Sequence, residues 1–323
     1  MSFSVTILGS GAATPTSNRY PSAQALQIDE RVFLIDCAEG TQMQLRRYKV
    51  KIQQVRAIFI SHLHGDHVYG LPGLLASLSM LDRTEPLDMF VPPSLEEWLT
   101  AHMKYFMPLG FPLQFHTLTA KEPEIIYDDK RFTVTCFPLK HRIPTWGYLF
   151  REKPKLLNIR KDMIEFYRIP LREIPAIKAG ADFITDDGET VPNKRLTLPP
   201  KMTRSYAYCL DTMYMEDLPQ IINGVDLLYH EATYGNDEKA RAKETFHSTA
   251  EDAAKIALAA NAGKLVIGHF SARYKNITPL LNEARNIFPN TEAAEDGGKF
   301  QVSSFRFQVS GFKLKFQVSS FRF

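Results

Sequence analysis

The chain has 323 residues, 44% of them hydrophobic and 23% charged, an ordinary globular composition with room for one large domain or two small ones. Only three cysteines occur, Cys37, Cys136 and Cys209, with no CxxC spacing, so neither a disulfide framework nor a thiolate zinc site is indicated. The start lacks a basic leader and no apolar run approaches the ~20 residues needed to span a bilayer, so the expectation is a soluble cytoplasmic protein with no membrane partner. The net charge of +3 is unevenly spread: residues 151–204 hold twelve basic and eight acidic side chains, and residues 297–323 hold five basic ones and no acid. Two basic segments on a neutral-to-acidic body fit a polyanion-binding attachment, and equally fit solvated Lys-rich loops.

Phe3 to Leu8 alternates and runs into the small-residue stretch Gly9-Ser10-Gly11-Ala12-Ala13-Thr14-Pro15. This is not GxGxxG and no helix follows, so a strand and a tight loop are expected in place of a nucleotide-binding turn. Ala23 to Ile28 and Val32 to Ile35 read as a hairpin about Asp29-Glu30-Arg31, and Thr41 to Lys49 reads as a helix. Ala57 to Ile60 then reads as a short buried strand and Leu74 to Leu81 as a helix, with Ser61-His62-Leu63-His64-Gly65-Asp66-His67 on the turn between them. Three imidazoles and a carboxylate at such a turn suit Zn²⁺, and Gly65 is expected to let the loop turn sharply. The HxHxDH pattern resembles the metallo-β-lactamase superfamily. That resemblance implies that His62 and His64 bind one metal, that Asp66 and His67 bind a second, and that further ligands follow in the chain.

Pro92-Pro93-Ser94 is expected to start a helix capped by Ser94 and Glu97. His102 and His116 stand without companions and are read as structural. Arg131 to Phe137 pairs with Glu124 to Tyr127 and leads to His141, where a third ligand for the first metal is needed. Residues 151–204 hold six prolines and weak periodicity, a poor way to build core and a reasonable way to build a protruding arm. Tyr206 to Leu210 ends on Asp211, whose carboxylate could bridge two cations or cap a helix. Asp226 to Tyr229 ends on His230-Glu231-Ala232-Thr233. Ser248 and Glu251 have capping-box spacing before a helix from Ala250 to Ala260 closed by Gly263, with His247 just outside it. Lys264 to Gly268 delivers His269. Counting ligands gives His62, His64 and His141 for one site and Asp66, His67 and His269 for the other, with Asp211 between them.

The SHLHGDHVYGLPGLL block, His230 to Thr233 (HEAT), His247 to Thr249 (HST) and His269 to Tyr274 (HFSARY) resemble the ribonuclease Z family, endonucleases that remove the 3′ trailer from precursor tRNA. The resemblance spans roughly residues 1–296. Of the basic positions common in the family's loop after the first strand, Arg19 is kept, and the arm lacks the usual Gly-Pro pair. The resemblance implies a four-layer αββα sandwich of α/β class, two zinc ions per subunit, a homodimer, and a tRNA-gripping arm inserted at 151–204. It also implies that Asp66 accepts the proton of the attacking water and that the tRNA is left with a 3′-hydroxyl. His247, which neither ligand set needs, is the candidate for protonating the leaving oxygen. Lys153, Lys155, Arg160, Lys161 and Arg273 are candidate substrate contacts. A related hydrolase acting on a small phosphodiester or thioester would share the ligands without needing the arm; a purely structural metal protein would have closed sites instead. Within residues 297–323 the stretch Phe300 to Arg306 recurs twice more, and this β-prone tail is expected either to add an edge strand or to stand outside the fold.

Overall fold

A computed structural model describes residues 2–105, 108–200 and 202–304. In the first half, strands β1 (Phe3–Gly9), β2 (Ala23–Ile28) and β3 (Arg31–Ile35) precede helix α1 (Thr41–Arg47). Then come β4 (Val55–Phe59), α2 (Gly65–Val68), α3 (Leu71–Met80), β5 (Leu87–Val91), α4 (Leu95–Met103) and β6 (Leu113–Thr117). β7 (Glu124–Asp128), β8 (Phe132–Leu139) and β9 (Thr145–Glu152) open the second half. The inserted arm holds β10 (Asn158–Ile159), α5 (Lys161–Phe166), α6 (Ile174–Lys178), β11 (Phe183–Ile184), β12 (Thr190–Val191), α7 (Asn193–Leu196) and β13 (Thr197–Leu198). After it come β14 (Ser205–Cys209), α8 (Leu218–Ile221), β15 (Leu227–Glu231), α9 (Lys239–Thr245), α10 (Ala250–Ala259), β16 (Lys264–Gly268), α11 (Thr278–Ile287), β17 (Thr291–Ala293) and β18 (Lys299–Gln301).

Two seven-stranded sheets result, ordered β18-β1-β2-β3-β4-β5-β6 and β17-β16-β15-β14-β9-β8-β7. Each is antiparallel on one side and parallel on the other. The inner strands are buried on both faces, so their successive residues alternate between two apolar environments; the edge strands β6 and β7 are largely exposed. Phe33 and Ile35 of β3, and Tyr206 and Tyr208 of β14, point into a core shared by the sheets. Val32 and Leu34 face α1, α3 and α4 on one outside, and Ala207 and Cys209 face α8, α10 and α11 on the other. This is the expected αββα sandwich.

Several local expectations are corrected. Ser94 takes a left-handed conformation (φ 72°) and its side chain makes no capping hydrogen bond. The capping box of α10 is Thr249 with Asp252, because Ser248 is already engaged: its N–H donates to Glu231 and its hydroxyl to Thr212 O. The helix ends at Ala259 with Ala260 as its C-cap, and Asn261, not Gly263, is in the left-handed region. Asp211 precedes α8 by several residues and caps no helix. Gly65 has no positive φ; a Cβ there would lie 2.3 Å from the Tyr69 ring, so the glycine permits close packing and not a sharp turn. The arm, expected to lack core, has a small one of its own in Ile169, Ile177, Phe183, Val191 and Leu196.

The tail boundary also moves. β18 pairs antiparallel with β1, Ser4 opposite Gln301, and Phe300 and Val302 are buried in the core between the sheets. Phe300 to Val302 of the first repeat copy therefore enter the fold as an added edge strand, and the boundary expected at residue 297 moves accordingly; an alternating Phe-Gln-Val fits an edge slot with one apolar face. The end of that copy and the two that follow, within residues 305–323, lie outside the described residues.

Candidate metal centre

The parallel strands of both sheets end on one side of the sandwich, and their ends carry the polar residues. Asp36, Asp211 and His269 follow β3, β14 and β16 with φ of 58°, 55° and 58°. A non-glycine residue held there costs about 1–3 kcal/mol and persists only where its surroundings demand it. The demand here is direction: the left-handed kink turns each side chain towards a common point. His62, His64, Asp66 and His67 enter from the β4–α2 turn and the start of α2, and His141 from the loop after β8.

All seven predicted ligands meet. Potential ligand atoms of His62, His64, His141 and Asp211 lie within 4.8 Å of one another, as do those of Asp66, His67 and His269. Asp211 stands between the groups, with Oδ2 3.3 Å from His62 Nε2 and 3.7 Å from His141 Nε2, and Oδ1 3.2 Å from His269 Nε2. The outer nitrogens are held by protein: His67 Nδ1 by Asp36 (2.9 Å), His141 Nδ1 by Phe246 O (3.0 Å), His269 Nδ1 by Thr233 Oγ1 (2.9 Å) and His62 Nδ1 by Ser61 Oγ (3.0 Å). Nε2 of each ring is thereby aimed inward. His64 alone presents Nδ1, 2.9 Å from His62 Nε2.

These residues fit metal. Nε2 of His67, His141 and His269 and Oδ1 of Asp211 are buried without a hydrogen-bond partner, which a folded protein tolerates only at a cost unless something binds them. Burial pulls the His67 pKa down, but Asp66, Asp36 and Asp211 outweigh it and hold the imidazole well above its usual value. Three carboxylates in one buried site call for positive charge. His62, desolvated and beside His67, is pushed down to about 4, so it stays neutral and available as a ligand.

Two carboxylates support the centre without belonging to either ligand group. Asp36, fully buried, accepts from the Ser61 N–H and hydroxyl, His67 and the Tyr208 hydroxyl (2.7–2.9 Å). Glu231, fully buried, accepts from the Thr212 N–H (2.6 Å), the Thr233 hydroxyl (2.6 Å), the Ser248 N–H (3.0 Å) and His247 Nδ1 (2.9 Å). Burial lowers the His247 pKa, but the charge of Glu231 and its hydrogen bond, aided by Asp211 and Asp66, win and push it up to about 9. Sequence reasoning gave neither carboxylate a role. The only signals were their places, Asp36 immediately after a strand and Glu231 inside the HEAT block.

A cavity of about 550 Å³ opens over the cluster, lined by His64, Asp66, His141, Asp211, His247 and His269, with Arg142 and Arg273 at its edge. Arg273 is 3.9 Å from Glu238. The small-residue loop after β1 closes one wall: the Ala13 N–H donates to Asp66 Oδ2 (2.9 Å) and the Ala12 N–H to Phe270 O. The arm candidates do not line this cavity. Lys153 pairs with Asp128, Lys155 lies 3.6 Å from Glu152, Arg160 pairs with Asp162 (2.7 Å), and Lys161 opens α5. His116 pairs with Asp88 and stacks on Phe90, and His102 stacks on Trp98, as expected of structural residues.

An αββα sandwich with a two-sided His/Asp cluster at its strand ends defines a hydrolase of metallo-β-lactamase fold. Solved structures agree: human tRNase Z, short form, is 27% identical with a TM-score of 0.68, covering 93% of this chain and 99% of its own. The metallo-β-lactamase fold protein YhfI from Bacillus subtilis, 17% identical, has a TM-score of 0.67 over 93% of this chain and 100% of its own. A family model described as anti-Pycsar protein Apyc1 matches residues 3–107. Proteins named ribonuclease Z from Bacteroides thetaiotaomicron (47% identical, covering 94% of this chain and 96% of its own) and Phocaeicola vulgatus (48%, 94% and 99%) match nearly end to end. The chain belongs to the ribonuclease Z family.

Proposed function

We propose that this chain is the endoribonuclease that cuts the 3′ trailer from precursor tRNA and leaves a 3′-hydroxyl on the tRNA, using two zinc ions per subunit. The observation that carries the reading is the convergence of His62, His64, His141, Asp66, His67, His269 and Asp211, with Nε2 of His67, His141 and His269 buried and without a hydrogen-bond partner, in a chain of this family. His62, His64 and His141 would hold one ion, Asp66, His67 and His269 the other, and Asp211 both. Bound there, the ions supply Lewis acidity, making water more acidic and neutralising charge on phosphoryl oxygens.

The chain's own groups do the rest. Asp66, its Oδ2 fixed by the Ala13 N–H, orients the attacking water and takes its proton. Glu231 receives His247 Nδ1–H, which fixes the ring's tautomer and leaves Nε2 to deliver a proton to the departing ribose 3′ oxygen. Arg273 at the cavity edge meets flanking phosphate, and the arm, through Lys153, Lys155, Arg160 and Lys161, grips the body of the tRNA.

The active form is proposed to be a homodimer, supported by the exposed Tyr69 and Trp98, whose rings lie 6.4 Å apart, Tyr69 only two residues after His67. A cytoplasmic setting is supported by three buried, free cysteines. No helix among the described residues is long and apolar enough to cross a membrane. Incubating the protein with a precursor tRNA, with and without chelator, and mapping the product end tests the reading. Chelator-sensitive release of the trailer with a 3′-hydroxyl on the tRNA is expected. Cleavage confined to small diesters or thioesters would favour a related hydrolase.

A further inference from the structure

Beside the metal cavity lies a second one, of about 500 Å³, that shares His247 with it. We infer that this cavity, bounded by Met213, Tyr214, Lys239, Lys243, His247 and Lys255, is the subsite for the ribonucleotide whose 3′ oxygen leaves, its base on Tyr214 and its 5′ phosphate among the lysines. The inference rests on the role given to His247 above. If that ring hands its proton to the 3′ oxygen, the ribose bearing the oxygen lies against His247, and its base and 5′ phosphate extend into a space that His247 borders.

The cavity is built for such a ligand. Lys239 and Lys243 are four residues apart on one face of α9, and both line it, with Lys255 arriving from α10. Like charges at this spacing repel. Lys255 is paired with Glu251, but Lys239 and Lys243 form no ion pair among the described residues. The carboxylate on the wall, Asp252, is engaged by the Thr249 N–H and hydroxyl. With Lys255 paired and Asp252 the one carboxylate on the wall, Lys239 and Lys243 still leave the cavity an excess of positive charge, which a phosphate would relieve. Tyr214 is 40% exposed, large and aromatic beside these cations, the combination that single-stranded nucleic acid uses for stacking and backbone contact. It is not adrift: it follows Asp211 by three residues, in a segment pinned by the Thr212 N–H to Glu231 and the Met213 N–H to Lys140 O (2.9 Å). Position relative to the cluster is therefore fixed.

The test is the single-turnover kcat/KM of the full chain on three precursor tRNAs: intact, abasic at the nucleotide 5′ of the cleaved bond, and abasic at the nucleotide 3′ of it. Tyr214→Ala should lower the value on the intact precursor by about 5- to 150-fold, the range for removing one aromatic ring from under a base, and Tyr214→Phe should retain it. On the 5′-abasic precursor the Tyr214→Ala loss should nearly vanish, because the stacking partner is already gone; on the 3′-abasic one it should persist in full. An equal loss on all three precursors, or a loss that vanishes only on the 3′-abasic one, overturns the assignment. A wild-type chain that leaves the intact precursor uncut overturns the reading of function itself, and the inference with it, an outcome distinct from either of those.

Discussion

The metal centre and the inserted arm are built on opposite principles. At the centre the side chains are buried or partly buried, and most are held from behind by a second group; Glu231 alone accepts four hydrogen bonds, and three residues occupy left-handed backbone to aim inward. The arm has a five-residue core, its basic side chains are largely exposed or paired with neighbouring acids, and Phe166, Leu171 and Ile184 are left exposed. Chemistry needs groups fixed to a fraction of an ångström, and rigid strands supply that. Gripping a large polyanion needs reach and charge, which an insertion supplies without disturbing the strands. Substitutions at the centre should therefore act on turnover, and those in the arm on binding.

The sharpest break is expected from Asp211→Ala. It removes the carboxylate within 3.7 Å of His62, His67, His141 and His269, so precursor cleavage should be abolished and bound metal should fall, as read by elemental analysis of the folded variant. His247→Ala comes next: turnover should drop about 10²–10⁴-fold, the range for removal of a general acid, with metal content unchanged. If metal content falls with it, His247 is a ligand and the division of roles fails.

Glu231→Gln sharpens the same point through pH. A general acid works in its protonated form, so the rate should fall as pH rises through the His247 pKa, which Glu231 and its hydrogen bond help push up to about 9 against the opposing effect of burial. Gln keeps a hydrogen bond but not the charge, so the alkaline limb of the kcat profile should move to lower pH. Bound cations oppose the rise in both proteins, which makes the difference between them the quantity to read. An unmoved limb means that Glu231 does not set the state of His247.

Reversing Lys153, Lys155, Arg160 and Lys161 to Glu should raise KM for precursor tRNA and leave kcat nearly alone. It should also flatten the dependence of log binding on log salt by about 0.7–0.9 for each phosphate that the arm no longer neutralises. A fall in kcat with KM unchanged would place the arm in the chemistry and erase the contrast drawn above. The smallest effect on activity is expected from truncation after Asp296, which removes β18. Burying Phe300 and Val302 is worth about 3–6 kcal/mol together, so the midpoint of denaturant unfolding should fall. Truncation after Ser304 should leave it unchanged.

Much of the site was legible because its signals are local. His62 to His67 sit in one motif, and His141, Asp211 and His269 each follow an apolar run that alternation marks as a strand. Glu231, Asp36, Ser61 and Thr233 were not legible in role, because each acts through another side chain that only the tertiary fold brings near. The same cause explains the shifted cap of α10: spacing offers Ser248 as readily as Thr249, but Glu231 and Thr212 claim Ser248 first. Strand patterning gave the individual strands and the family resemblance gave their arrangement as a sandwich, whereas the arm's core escaped notice because its residues are spread over short elements with no sustained period. β18 was legible only as one of two alternatives, because nothing local in the repeat says that its first copy has the edge of β1 to pair with.

The central claim is that this cluster carries two metal ions and that both are needed to cut a precursor tRNA. Its most direct test is to strip the purified chain with chelator, return zinc in measured equivalents, and follow release of the 3′ trailer from a precursor tRNA. Activity should be absent at the start, rise with added zinc and level off at two equivalents per chain, each tRNA product ending in a 3′-hydroxyl. Full cleavage by the stripped chain, or a plateau at one equivalent, would contradict the account.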